Sequence, residues 1–271
     1  MKSLGIIAGD GELPVLVSRE AAKMGYRVVI FALEPVSAVP DDAADEVVRV
    51  NVGKLGTLLK RLRESGVKEV VMAGKVTKEL AYRGGVKPDL KAIGLLWGLS
   101  DRKDDTIMTA VTDEISSLGI TVRNTTDFAG DLLMPEGVIT RRNPSREEWK
   151  DIEFGIRMAR EMGRLDIGQT VVVKDRAVMA VEAIEGTDEA IRRGGSLAGR
   201  GAVVVKVSKP AQDFRFDVPV VGLDTLRTLI GAGGAVLAVE AGKSLILQRE
   251  EMVRTADHEG ISIVGVRFRA E

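Results

Sequence analysis

The segment Arg215-Phe216-Asp217-Val218-Pro219 holds one carboxylate beside one cation. Pro219 restricts the backbone just before it, so Asp217 is presented from a constrained stretch. Upstream, Lys206-Val207-Ser208-Lys209-Pro210 contributes two ammonium groups. Cations near a held carboxylate suit chemistry on a phosphorylated substrate. Lys206, Lys209 and Arg215 would offset charge on phosphate, while Asp217 would align water or a metal ion. The plainer reading is equally open: Asp217 as a structural ion-pair partner or turn acceptor.

Three further segments carry candidate groups. Glu182-Ala183-Ile184-Glu185-Gly186-Thr187-Asp188 crosses a strand-to-helix junction. There Thr187 is a candidate cap, Gly186 admits a phosphate or sugar, and Glu185 or Asp188 supports a cation; capping alone accounts for much of the pattern. Near the start, Ala8-Gly9-Asp10-Gly11-Glu12-Leu13-Pro14 lies where a strand turns into a helix, which makes Gly11, Glu12, Leu13 and Pro14 candidates for lining an anion site. Residue 14 is proline, so the dinucleotide fingerprint GxGxxG is absent and NAD or FAD is not indicated. Ala73-Gly74-Lys75-Val76 ends another strand, where Lys75 faces phosphate or is an ordinary loop lysine. Asp104-Asp105 opens a helix, either to help hold a metal or as favourable charge at a helix start.

The elements that must position these groups alternate. Strands are predicted over 4–8, 28–32, 47–50 and 67–73, with helices over 14–24, 54–64 and 101–118. This alternation predicts a parallel sheet covered by helices, a Rossmann-like N-terminal domain over 1–130. Ser145 with Glu148 three residues later forms a capping-box signature that starts the next helix. Strands over 170–173, 177–183, 201–207, 235–239, 244–247 and 261–266, with helices over 225–231 and 250–259, predict a distinct C-terminal α/β domain over 131–271. The apolar run Ile93 to Leu99 reads as a lipid-facing wall or, more conservatively, as a buried surface between domains or copies.

Composition narrows the chemistry. The chain has no cysteine, which excludes disulfides and thiolate catalysis, and one histidine, His258, which excludes a polyhistidine zinc centre within one chain. Oxygen-ligated Mg²⁺ or Mn²⁺ stays open. A net charge of −1 gives no broad attraction to nucleic acid. No apolar run reaches the ~18 residues of a membrane span, and the strand-like run begins just after Met1-Lys2, so neither a span nor a secretory leader is expected. The cytoplasm is the expected compartment.

In this order, LGIIAGDGELP, AGKV, KDDTIM, GRLDIGQTVVVKD, AVEAIEGTDEAI, VVVKVSKP and RFDVPVVG resemble the UDP-2,3-diacylglucosamine pyrophosphatase family of lipid A biosynthesis, in its two-domain non-calcineurin branch. The resemblance spans nearly the whole chain. It implies hydrolysis of UDP-2,3-diacylglucosamine to UMP and 2,3-diacylglucosamine 1-phosphate (lipid X), with water attacking the β-phosphorus. It also implies a divalent cation, Mg²⁺ or Mn²⁺, and glycolipid bound between the domains. Asp217 matches the essential aspartate of the family's RxDxP frame and is expected to position metal and water, with Asp104 and Asp105 as further metal candidates. Lys206 and Lys209 would stabilise the pyrophosphate, Glu185, Gly186 and Thr187 would frame the glucosamine phosphate, and the Gly11 to Pro14 turn would close the opposite side. Lys103 stands where relatives are expected to carry a glycine before the acidic pair. Peripheral contact with the cytoplasmic face of the inner membrane and a homodimer complete the expectation.

Overall fold

The computed structural model describes residues 2–76, 87–99 and 104–267. They form two compact units. The first comprises 1–130 with Phe214–Phe216, and the second Asp131–Asp213 with Asp217–Glu271. The chain therefore leaves the second unit for three residues and re-enters it at Asp217, an excursion that a single cut near residue 130 does not contain.

The first unit is built on a five-stranded parallel sheet of β1 (Ser3–Ala8), β2 (Arg27–Glu34), β3 (Glu46–Asn51), β4 (Glu69–Ala73) and β5 (Thr121–Val122), in the order β3-β2-β1-β4-β5. Its central strands are buried on both faces, which is why they read as continuous apolar runs. On one face Ile7, Phe31 and Met72 pack with Leu55, Leu58, Leu59 and Leu62 of α2 (Leu55–Ser65). On the other, Ile6, Ile30 and Val71 meet Val17 and Ala21 of α1 (Leu13–Lys23). Phe216 joins the α2-side cluster, and Thr125 N–H donates to Phe214 O at 3.1 Å, which fastens the returning segment to this unit. The Rossmann-like expectation is borne out. The helix α3 (Leu90–Trp97) packs Ala92 and Leu95 on the α2-side cluster and leaves Leu90 88% and Trp97 85% exposed within the chain. Asp89 caps it by accepting from Ala92 N–H. α4 (Asp104–Ser116) follows.

The second unit has a mixed six-stranded sheet of β6 (Gly137–Val138), β7 (Thr170–Lys174), β8 (Ala177–Val181), β9 (Ala202–Lys206), β11 (Gly234–Glu240) and β13 (Ser262–Val266), ordered β6-β13-β11-β9-β7-β8. β9, β11 and β13 are parallel, whereas β7 runs against both β8 and β9. A small parallel pair, β10 (Val220–Val221) with β12 (Leu245–Ile246), lies apart. α5 (Arg146–Arg164) starts with the expected Ser145–Glu148 capping box and packs Ile152 and Ala159 on Val171, Val173, Val203 and Val205. The opposite face is covered by α6 (Thr187–Ala198), α7 (Leu223–Gly231) and α8 (Arg249–Glu259), through Ile191, Leu226, Leu229, Met252 and Ala256.

The β7–β8 hairpin turns through Asp175 and Arg176 at φ 51° and 59°, the left-handed region that a two-residue turn of this hand requires but that side chains disfavour. Buried Asp151 of α5 offsets that cost. Its carboxylate accepts from Asp175 N–H at 3.0 Å and Arg176 N–H at 2.6 Å. Asp151→Ala should therefore lower unfolding free energy by about 1–3 kcal/mol in denaturant titration, because two turn amides lose a charged acceptor. An unchanged midpoint would show that the turn does not depend on this clasp.

Candidate active site

In the first unit the strand order reverses between β1 and β4, the position where open parallel sheets place ligands beyond their carboxyl ends. The two segments leaving these strands pin each other. Asp10 N–H donates to Lys75 O at 2.8 Å, and Lys75 N–H donates to Asp10 O at 2.9 Å. This approach explains both flanking glycines. A Cβ on Gly9 would stand 2.5 Å from Lys75 O, and one on Gly74, at φ +88°, 2.6 Å from Asp10 O. Gly11, Glu12, Leu13, Pro14 and Lys75 are thereby gathered at one end of the sheet. The Lys75 side chain is exposed, Pro14 is buried in the first turn of α1, and Glu12 stands at its N-cap without a side-chain cap bond.

In the second unit the pairing sets a row of polar side chains. Thr170 pairs with Lys206, and one step beyond the Val171–Val181 pair Glu182 N–H donates to Thr170 O at 2.8 Å. Directly opposed residues share a sheet face, so Glu182, Thr170 and Lys206 stand side by side on the α6 face. That face is fixed by Val172 and Val204, two residues further in, which pack with Ile191 of α6. Lys206 is only 6% exposed. Its Nζ donates to Thr187 Oγ1 at 2.9 Å, and Thr187 Oγ1 donates to Glu182 Oε1 at 2.7 Å. Four buried oxygens here, Gln169 Oε1, Thr170 Oγ1, Glu182 Oε2 and Asp188 Oδ1, have no hydrogen-bond partner among the described residues.

The N-cap of α6 is Gly186, at φ +84°, and not Thr187. Thr187 occupies the first helical position because its hydroxyl is taken by Glu182 and glycine alone enters the turn without strain. No side chain caps this helix start. Glu185 is exposed and paired with a cation of α6. Arg193 Nη2 donates to its Oε1 at 2.5 Å. A hydrogen bond from its own backbone amide first, and then Arg193, hold its carboxyl below the ordinary range.

The loop leaving β9 carries the remaining candidates. Ser208 donates through N–H and Oγ to buried Glu240 Oε2 at 2.8 and 2.6 Å. Lys209 Nζ donates to Asp166 Oδ1 at 2.7 Å, so its charge is shared with a carboxylate. Gln212 is the organiser. Its Oε1 accepts from Lys209 N–H at 2.7 Å, and its Nε2 donates to both Asp217 Oδ2 and Asp217 O. Asp217 N–H also donates to Asp213 O at 3.0 Å. Asp217 is thus gripped by its side chain and both ends of its backbone unit. Arg215 belongs to the returning segment in the first unit. The sequence gives no sign of Gln212 or Thr170, and within the segment 182–188 it does not single out Glu182 as the partner of Thr187.

The side chains of Asp104 and Asp105 lie outside the described residues. Among the described residues no group of three or more His, Cys, Asp or Glu comes together to hold a metal ion. His258 is exposed on α8 beside Glu259, with Nδ1 2.9 Å from Oε1.

Polar and charged side chains crowd the ends of otherwise apolar strands, and each unit has its own sheet. This defines a two-unit α/β protein whose candidate groups gather where its strands end. Family models for the LpxI N-terminal domain and the LpxI C-terminal domain match residues 3–132 and 135–264. The chain belongs to the LpxI family. A UDP-2,3-diacylglucosamine pyrophosphatase LpxI of Caulobacter vibrioides is 34% identical over 279 residues, covering 98% of this chain and 98% of that protein. Among solved structures, the precorrin-6A reductase CobK aligns over 100% of this chain and 89% of its own at 12% identity and TM-score 0.34. N5-carboxyaminoimidazole ribonucleotide synthetase of Thermotoga maritima aligns over 70% of this chain at 17% identity and TM-score 0.26, and this chain spans 43% of its length. Neither likeness bears on function.

Gly74→Ala should destabilise the first unit by about 1–3 kcal/mol, since the residue is both left-handed and crowded by backbone. Thermal unfolding checks this. A midpoint equal to wild type would mean the Asp10–Lys75 pairing yields without cost.

Proposed function

We propose that the chain hydrolyses UDP-2,3-diacylglucosamine to UMP and lipid X, a step of lipid A biosynthesis. The observation that carries this reading is membership of the LpxI family over both units, joined to a relative of that named activity at 34% identity. A water oxygen bonds to the β-phosphorus, the bridging P–O bond breaks, and the bridging oxygen leaves on UMP. Asp217 is the group assigned to that water, and the Gln212 grip keeps its carboxylate from turning away. Lys206, together with the uncapped amides at the start of α6, offsets charge as the pyrophosphate breaks. Lys209 supports the same charge from its pair with Asp166, and Arg215 with the Gly11 to Pro14 turn and Lys75 contribute to binding.

A divalent cation, Mg²⁺ or Mn²⁺, belongs to this reading, and when bound it would neutralise charge on the two phosphates. The described residues supply no clustered carboxylate centre for it. No helix among the described residues is long and apolar enough to cross a membrane. The two acyl chains nevertheless make the substrate a membrane lipid. Peripheral contact with the cytoplasmic face of the inner membrane follows, with exposed Leu90 and Trp97 of α3 offering apolar surface, and a homodimer is part of the same reading.

Purified protein with Mg²⁺ should release UMP and lipid X in equal amounts, and EDTA should suppress this reversibly. Asp217→Asn should remain folded and lose about 100-fold or more in kcat. Unacylated UDP-glucosamine should react with kcat/KM at least about 100-fold lower, because the acyl chains supply buried apolar area. No release by folded wild type would overturn the reading. Equal rates on the unacylated compound would replace it by a general nucleotide-sugar hydrolase.

A further inference from the structure

A hydroxyl has a single proton to give. Thr187 gives its proton to Glu182 Oε1 and receives one from Lys206, so the direction of the chain Lys206→Thr187→Glu182 is settled. The hydroxyl of Thr187 is thereby committed and does not donate to a phosphate while Glu182 holds it. The ammonium of Lys206 stands buried at the end of β9, beside the first turn of α6, with Thr187 as its acceptor. Glu182 orients the hydroxyl, and the hydroxyl orients the ammonium.

The arrangement is poor as a device for stability. Glu182 is 8% exposed, Thr170 fully buried, and both Glu182 Oε2 and Thr170 Oγ1 have no partner among the described residues. Buried polar networks stabilise when every member is satisfied, and apolar residues of similar volume often serve a core as well as a buried ion pair does. The neighbouring positions on these strands, Val172 and Val204, show what that core uses when nothing else is required.

We propose that Glu182 and Thr187 are positioning residues that hold the Lys206 ammonium against the breaking pyrophosphate. This rests on the pyrophosphatase reading above and adds to it the two groups that act through Lys206 without touching the substrate. Lys206 is the contact with the charge that develops, so loss of either positioning group weakens transition-state stabilisation more than ground-state binding.

The test is steady-state kinetics on UDP-2,3-diacylglucosamine for wild type, Lys206→Met, Glu182→Gln, Thr187→Val, Thr187→Ser and the Glu182→Gln/Thr187→Val double variant. Rates are taken per folded molecule, by circular dichroism, well below each Tm. Thr187→Val keeps the shape and removes the hydroxyl, whereas Thr187→Ser keeps the hydroxyl. Lys206→Met, Glu182→Gln and Thr187→Val should each lower kcat about tenfold or more with KM within about twofold. Thr187→Ser should stay within about twofold of wild type, and the double variant should be no slower than its slower parent, because one chain is broken once.

Unchanged kcat in Glu182→Gln and Thr187→Val, with only Tm reduced, would reduce the network to a structural role and overturn the inference. So would losses that multiply in the double variant, or a Thr187→Ser defect as large as that of Thr187→Val. Wild type without turnover overturns the pyrophosphatase reading and this inference together, whereas full-rate variants beside an active wild type overturn the inference alone.

Discussion

An ammonium at the end of an apolar strand has to be answered by oxygen. Val203, Val204 and Val205 of β9 are fully buried, and Lys206 follows them into the same environment. A buried charge without partners would cost several kcal/mol, enough to consume much of a domain's net stability. The surroundings meet that demand in sequence-distant pieces. Glu182, one residue past the end of β8, accepts from Thr187, and α6 opens on Gly186 so that Thr187 can accept from Lys206. The hairpin that carries Thr170 and Glu182 is in turn fixed by Asp151, a residue of the helix on the other face of the sheet. Placing one cation thus constrains strand register, a turn and a helix start.

The carboxylate is held by different means. Asp217 sits where the chain re-enters the second unit, on a loop that contributes no strand of the six-stranded sheet, so regular structure cannot orient it. A single amide does so instead. Gln212 connects the Lys209 backbone to the side chain and carbonyl of Asp217, and Asp213 takes the Asp217 amide. In the first unit the equivalent constraint is purely backbone. The loops after β1 and β4 hydrogen-bond to each other, and Gly9 and Gly74 are small enough to let them meet.

Much of this architecture is legible in the sequence because burial leaves periodic traces. Strands covered on both faces read as unbroken apolar runs, leucines at 55, 58, 59 and 62 mark the covered side of α2, and Ser145 with Glu148 announces α5. What is not legible depends on contacts between distant residues. Phe214–Phe216 look like any loop, yet they belong to the first unit. Thr187 reads as a cap, but Glu182 claims its hydroxyl from a strand end, and Gly186 takes the cap position. Lys206 reads as a cation waiting for phosphate; its burial and partners appear only once Thr170 is seen opposite it. The two-residue strands β10 and β12 carry too few side chains for any period, and Gln212 gives no signal at all. In α3 the sequence shows an apolar run but not which of its side chains stay uncovered within the chain, since periodicity reports a helix face but not what lies against it; Leu90 and Trp97 are the exposed ones.

The most direct measurement is hydrolysis of UDP-2,3-diacylglucosamine in ¹⁸O-water by the wild-type protein, with mass spectrometry of both products. One ¹⁸O in the phosphate of lipid X and none in UMP is expected, since water bonds to the β-phosphorus and the bridging oxygen leaves with UMP. Label in UMP would contradict the assigned direction of attack, and the absence of both products would contradict the proposed activity itself.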